Sequence, residues 1–153
     1  MQPNWTMNDK ASAAELLREI VRVFSRSQRV RVACTDGRST VQCHVLNELL
    51  RNPGITQQHL VEKLGLDKSW ISRAIDGLVK TGALTKQISP NDRRCVQLNL
   101  TSSGMKLAAH LDQNLTDHAA QVLNNFSSEQ HANIRSSLRI LLDELETNII
   151  KNN

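Results

Sequence analysis

The stretch between positions 56 and 100 constrains the fold more than any other part of the chain. Thr56 and Asp67 are helix-capping residues placed before two short runs with apolar residues at helical spacing. Residues 84–88 and 95–100 then alternate apolar and polar side chains, which is the period of half-buried strands. The sequence therefore predicts a helix-turn-helix followed at once by a β-hairpin.

The second helix of this pair has two chemically different sides. Ile71, Ile75, Leu78 and Val79 fall on one side of it. The other side carries small polar and charged residues, namely Ser69, Ser72, Arg73 and Asp76, with Lys68 and Trp70 at its flanks. Such groups at a capped helix end are those that contact base edges and phosphates, so we predict that this side faces the DNA major groove. Trp70 has an alternative interpretation, as a packing residue between the two helices.

Helices are also predicted on both sides of this region. Three serines each precede Glu or Gln by three residues, the spacing of a capping box: Ser12 with Glu15, Ser39 with Gln42, and Ser127 with Gln130. We expect a first helix to about Ala33, broken by residues 35–38, and a second helix that ends at Pro53-Gly54. The predicted fold is mainly α with a small β-hairpin wing, in one domain spanning residues 1–153.

Long apolar seams at both chain ends exceed what the compact centre needs. Residues 12–34 and 105–150 are therefore predicted to be dimerisation helices around a winged helix-turn-helix lobe at 40–103. Packing within one chain is the alternative.

Composition narrows the class of protein. A net charge of +4 and a pI near 9.3 suit a nucleic-acid partner. Aromatic residues make up 3% of the chain and tyrosine is absent, which disfavours a base-stacking single-strand binder. Without a signal-peptide pattern or a long apolar run, the expected location is the cytoplasm and no membrane partner is expected.

The three cysteines, Cys34, Cys43 and Cys95, are candidate redox or effector sensors, and arginines near Cys34 and Cys95 favour the thiolate there. There are two alternative interpretations: the cysteines are small inert side chains, or they are soft ligands for a thiophilic metal. No CxxC or HxxxH spacing supports a metal site, so neither a metal nor a cofactor is predicted. Cys43 and His44 are helix neighbours about 100° apart, too divergent to act as a catalytic pair, so no enzyme is predicted.

From about Val41 to Phe126 the chain resembles the MarR family of winged-helix transcriptional regulators. Residues 92–104 resemble the family's wing signature, in which Asp-x-Arg precedes a strand ending in Leu-Thr-x-x-Gly. Residues 64–73 are similar to its turn and recognition helix, and residues 78–84 to the exit from that helix.

The resemblance implies a homodimeric repressor that binds a palindromic DNA operator and is released by a small molecule, an oxidant or a metal. It implies that Asp92 holds the wing tip by a salt bridge, that Arg93 contacts the DNA backbone and that Arg94 enters the minor groove. The residues implied to face the major groove are Ser69, Trp70, Ser72 and Arg73, with Lys68 on a phosphate. The alternative function is a chromosome-organising protein that binds DNA without sequence preference.

Three departures from the family pattern matter here, and the first is that Thr85-Lys86 stands where an arginine often begins the first wing strand. Trp70 stands where the family often has a small polar residue, so base readout is expected to be unusual. Gly77 lies inside the recognition helix and is expected to soften it by about 1 kcal/mol relative to alanine.

Overall fold

The computed structural model describes residues 11–36, 38–88 and 95–151, and for residues 30–36 and 150 it describes the backbone alone. The elements are α1 (Ala13–Asp36), α2 (Thr40–Arg51), α3 (Gln57–Leu64), α4 (Lys68–Lys80), β1 (Leu84–Ile88), β2 (Val96–Leu100), α5 (Ser102–Leu123) and α6 (Ser128–Lys151). The chain divides into two compact units, residues 1–115 and 116–153. The mainly helical fold with a hairpin wing is confirmed.

The predicted helix starts are confirmed by their hydrogen bonds. At Ser39, the hydroxyl accepts from the Gln42 N–H at 3.3 Å, while the Ser39 N–H donates to the Gln42 side chain at 3.1 Å. The same reciprocal pair forms at Ser12 and at Ser127. Helix α1 runs three residues beyond the predicted end at Ala33, since Thr35 and Asp36 tolerate helical backbone and the first strong breaker is Gly37.

The core belongs to the first unit. The largest side chains that are fully buried come from α2, α3, α4 and the hairpin: Val45, Leu46, Leu49, Leu60, Ile71, Ile75, Leu78, Leu84 and Leu98. Helix α2 packs against α4 and β2, and α3 packs against α4. One side of α4 therefore packs on this core, and the opposite side is exposed to solvent.

The two strands form an antiparallel hairpin in which Leu84 pairs with Leu100 and Ile88 with Val96. The expectation of half-buried strands along their whole length is wrong for the outer end. Ile88 and Val96 are 67% and 40% exposed, because the hairpin extends beyond the core. Alternation fixes which side a residue faces but not how far the core reaches.

A cluster of hydrogen bonds joins the end of the α4–β1 turn to the start of α5. The hydroxyls of Thr101 and Ser103 both donate to the Gly82 carbonyl, at 2.7 and 3.1 Å. The Thr101 N–H donates to the Ala83 carbonyl at 3.1 Å. A Cβ atom at Gly104 would lie 1.9 Å from that same carbonyl oxygen, so only glycine fits there. This explains physically why the Leu-Thr-x-x-Gly pattern has its final glycine.

Helix α6, in the second unit, carries apolar residues that its own chain leaves exposed. They recur at helical spacing along one side: Leu138, Leu141, Leu142, Leu145 and Ile149. Among the residues that the structure describes, no helix combines the length and apolar character needed to cross a bilayer.

Candidate nucleic-acid interface

Helix α4 begins with a cap that also orders its first turn. The Asp67 carboxylate accepts hydrogen bonds from both the hydroxyl and the N–H of Ser69, the latter at 2.8 Å. These two bonds stabilise the charged form, and they hold the pKa of Asp67 below its ordinary value, with a smaller contribution from Arg73. Asp67 is therefore a structural group that fixes Ser69 at the exposed start of the helix.

The two predicted sides of α4 are confirmed with one correction. Ile71, Ile75 and Leu78 are buried, and so is Ala74, which the sequence analysis did not single out. Val79 was expected on the apolar side, but it is 38% exposed because it lies at the edge of that stripe near the helix end.

The predicted outer side of α4 is exposed. Lys68, Ser69 and Arg73 are exposed and Ser72 is half-buried. Trp70 is 60% exposed, so the alternative in which it packs between the two motif helices is wrong.

Arg73 and Trp70 lie against each other on the first turns of α4. The Arg73 guanidinium carbon is 5.8 Å from the centre of the indole ring, within the range of a cation–π contact. The Arg73 Nε donates to the Ser69 carbonyl and Nη2 donates to the Ser69 hydroxyl, both at 3.2 Å. The structure thus brings three predicted site residues, Ser69, Trp70 and Arg73, into one contact group.

Lys68 lies at the opposite flank of α4, near the outer end of strand β2. It lines a surface cleft of about 400 Å³ together with Thr56, Gln57 and Cys95. Cys95 is half-buried, whereas Cys43 is 7% exposed within the core. Cys34 has only its backbone described, as part of α1, so its proposed role lies outside the described side chains.

The wing strand is tied to α4 by an ion pair that the sequence analysis missed. The Lys86 ammonium lies 2.7 Å from the Asp76 carboxylate, joining β1 to the exposed side of the helix. No sequence signal marks this pair, since the two residues lie in different elements. The predicted wing-tip residues Asp92, Arg93 and Arg94 lie outside the described residues.

Gly77 has a packing role that its helix propensity does not show. A Cβ atom there would lie 2.7 Å from the Gln42 side-chain nitrogen. The absence of a side chain at Gly77 therefore leaves room for Gln42, which completes the capping box of α2. Glycine lowers the helix propensity of α4 but makes this packing possible.

A second cavity, of about 160 Å³, opens among residues of α1, α2 and the first unit's part of α5. Its lining includes Gln28, Arg29, Cys43 and Asn47. The Asn47 Oδ1 is buried and has no hydrogen-bond partner among the side chains and backbone that the structure describes. His44 also lines it but is exposed, so it does not share the buried setting of Cys43. No cluster of three or more potential metal-ligating side chains occurs among the described residues.

Comparison with known proteins identifies the lobe. The model of the MarR family matches residues 39–96. A putative transcriptional regulatory protein for the hcr operon of Thauera aromatica is 28% identical over 92 residues, which cover 60% of this chain and 53% of that protein. The chain thus spans about half the length of this curated relative.

Solved structures share the fold over most of the chain. A MarR transcriptional regulator from Methanosarcina mazei is 26% identical, with a TM-score of 0.75 over 87% of this chain and 98% of that one. A mutant MarR from E. coli is 23% identical, with a TM-score of 0.79 over 88% and 99%. FabT of Streptococcus pneumoniae, crystallised in complex with DNA, is 20% identical, with a TM-score of 0.73 over 88% and 95%. The MarR family model thus matches the winged lobe at residues 39–96, and these structures show that the fold is the one found in MarR regulators.

Proposed function

We propose that this chain is a homodimeric, sequence-specific DNA-binding transcriptional regulator of the repressor type. The observation that carries the proposal is the exposed side of α4, which presents Lys68, Ser69, Trp70 and Arg73 to solvent. The opposite side of the helix is packed on the core. A helix held in this way can enter a major groove while its side chains meet base edges. The FabT structure shows one protein of this fold in complex with DNA.

In this proposal the residues divide into three roles. Lys68 contacts a phosphate, and Ser69, Trp70, Ser72 and Arg73 face the major groove. Asp92, Arg93 and Arg94 form the wing tip, where Arg94 enters the minor groove because a guanidinium sheds its hydration more readily than an ammonium does. The exposed Asp76–Lys86 ion pair joins the middle of strand β1 to α4.

Dimerisation is supported by apolar side chains that one chain leaves in solvent. On α1, Ile20 and Val21 are 62% and 57% exposed, and Leu142 and Ile149 on α6 are 55% and 63% exposed. Burial against a second copy would remove this apolar surface from water, which stabilises a dimer by roughly 25 cal/mol for each Å² buried. A symmetric dimer then presents two copies of α4 to a palindromic operator, about 34–36 Å apart.

Release by an effector is the third part of the proposal. The candidate effector site is the 160 Å³ cavity, because its buried Asn47 Oδ1 needs a donor that a small molecule can supply. Cys43 in the cavity wall, Cys95 beside Lys68, and Cys34 remain proposed redox sensors. Any effector must bind the DNA-incompetent form more tightly, since equal affinity for both forms shifts nothing.

A footprint on DNA from around the protein's own gene tests the proposal. A short palindrome should be protected, and the Lys68→Ala variant should bind more weakly with a smaller salt slope. Lys80→Ala is the matched control, since it removes the same charge from the other end of the same helix. Equal affinity for all duplex sequences would instead favour the chromosome-organising alternative.

Effector release is tested separately on the operator complex. Peroxide, thiophilic metals and phenolic compounds are added in turn, to the wild type and to a Cys43→Ser variant. Release by peroxide from the wild type alone would assign sensing to Cys43, and unchanged release from the variant would remove it from that role.

A further inference from the structure

The indole of Trp70 is a large apolar group held in solvent on the first turn of the recognition helix. It is 60% exposed, while the next residue, Ile71, is fully buried in the core. Aromatic side chains supply large contact area at low entropic cost, and exposed ones are enriched where a partner binds. Since the indole does not pack between the motif helices, its contact area is available to whatever enters against α4.

The guanidinium of Arg73 is held in place beside this ring before any DNA binds. A cation–π contact, with 5.8 Å between the guanidinium carbon and the ring centre, lies on one side of it, and two hydrogen bonds to Ser69 engage its Nε and one Nη2 donor. The terminal edge formed by Nη1 and Nη2 still has N–H groups directed away from Ser69. A side chain that is already ordered loses less rotamer freedom when it makes a bidentate contact.

We infer that Trp70 and Arg73 together read a thymine and a guanine in each operator half-site. The guanidinium donates to O6 and N7 of the guanine, which is the commonest specific arginine contact in the major groove. The indole packs on the thymine 5-methyl, the apolar group that the major groove presents. The 5.8 Å separation places the two bases within two base-pair steps, since each step rises about 3.4 Å. This inference rests on the proposed function and adds base identities to it.

The test begins with selection of bound sequences from random duplexes by the full-length protein. Single atoms are then changed in the selected site. Uracil in place of thymine removes only the 5-methyl, and 7-deazaguanine in place of guanine removes only the N7 acceptor. We expect uracil at one thymine per half-site to weaken wild-type binding about fourfold. We expect 7-deazaguanine within two steps of it to weaken binding about tenfold.

Two variants assign these effects to their residues. In Trp70→Ala the uracil substitution should have no further effect, and in Arg73→Lys the 7-deazaguanine substitution should have less than half its wild-type effect. Lys80→Ala should retain both sensitivities. Circular dichroism and urea midpoints should match the wild type in each variant, because the residues are exposed.

The fluorescence of Trp70 provides a readout independent of affinity. In a Trp5→Phe background Trp70 is the remaining tryptophan, and its emission should change when the selected duplex binds. A selected motif that shows no thymine-methyl or guanine-N7 sensitivity, or an unchanged emission, would overturn the inference while leaving the proposed function standing. Selection that yields no motif at all would overturn both.

Discussion

The winged lobe and helix α6 differ in where their apolar residues are buried. Every buried hydrophobic residue of the described chain lies between Cys43 and Leu111, within the first unit. In contrast, the apolar stripe of α6 is at least 39% exposed at each position from Leu138 to Ile149. The lobe is therefore specified by contacts within one chain, whereas α6 leaves its apolar stripe in solvent, as the proposed dimer interface requires.

The largest expected effect is in the lobe, at the contact between Gly104 and Ala83. A Gly104→Ala substitution should lower the free energy of unfolding by about 3 kcal/mol, because the new Cβ would lie 1.9 Å from backbone that cannot easily move. Urea denaturation measures this. Gly65→Ala is the control, since Gly65 has a φ of +60° but open space around it, and it should cost about 1 kcal/mol. Equal losses would show that the 1.9 Å approach is not a real constraint.

The next effect tests α6. Leu142→Glu should raise the dimer dissociation constant at least tenfold, because a charge would enter the proposed interface and one leucine of buried surface, about 1.5–3 kcal/mol, would be lost. Sedimentation equilibrium measures the change. Ile140→Glu is the matched control, since Ile140 is 63% exposed and lies about 200° further round the helix. If both variants behave alike, the apolar stripe is not the interface.

A smaller effect tests whether a polar contact in the lobe, the fit of the Gln42 side chain against Gly77, also contributes to the stability of the lobe. Gly77→Ala gains helix propensity but displaces the Gln42 side chain, so the net change in unfolding free energy should be close to zero. In a Gln42→Ala background the same substitution should stabilise the lobe by about 1 kcal/mol. A double-mutant cycle by urea denaturation gives the coupling, and additive values would mean that Gly77 does not accommodate Gln42.

The smallest effect is the pH dependence of the α4 cap. The pKa of Asp67 is lowered in the fold, chiefly by the Ser69 hydroxyl and N–H, so the folded protein prefers the charged carboxylate. That stabilisation is fully present above the ordinary aspartate pKa of about 3.9, and it is lost as the pH falls through the lowered value. The gap in urea midpoint between wild type and Asp67→Asn should therefore narrow between pH 6 and pH 3. A constant gap would contradict a lowered pKa.

The sequence predicted the local features of the lobe well, because they depend on neighbouring residues. The capping pair Ser39–Gln42, the Thr56 cap and the Asp67 cap each depend on residues within a few positions of one another. The two sides of α4 followed from helical periodicity alone.

What the sequence could not predict depends on distances across the fold. Nothing local shows that Gly77 faces Gln42, or that Lys86 reaches Asp76. The exposure of Ile88 was missed because strand alternation does not reveal where the core ends. The stacking of Arg73 on Trp70 depends on side-chain rotamers, which a spacing of three residues permits but does not fix.

The hydrogen bonds at Gly82 have a mechanical consequence. The hydroxyls of Thr101, just before α5, and of Ser103, in its first turn, both donate to the carbonyl of Gly82, just beyond the end of α4. The beginning of α5 is therefore bonded directly to the turn that follows α4. A rotation of α5 at this point would act on the end of α4 through these hydrogen bonds.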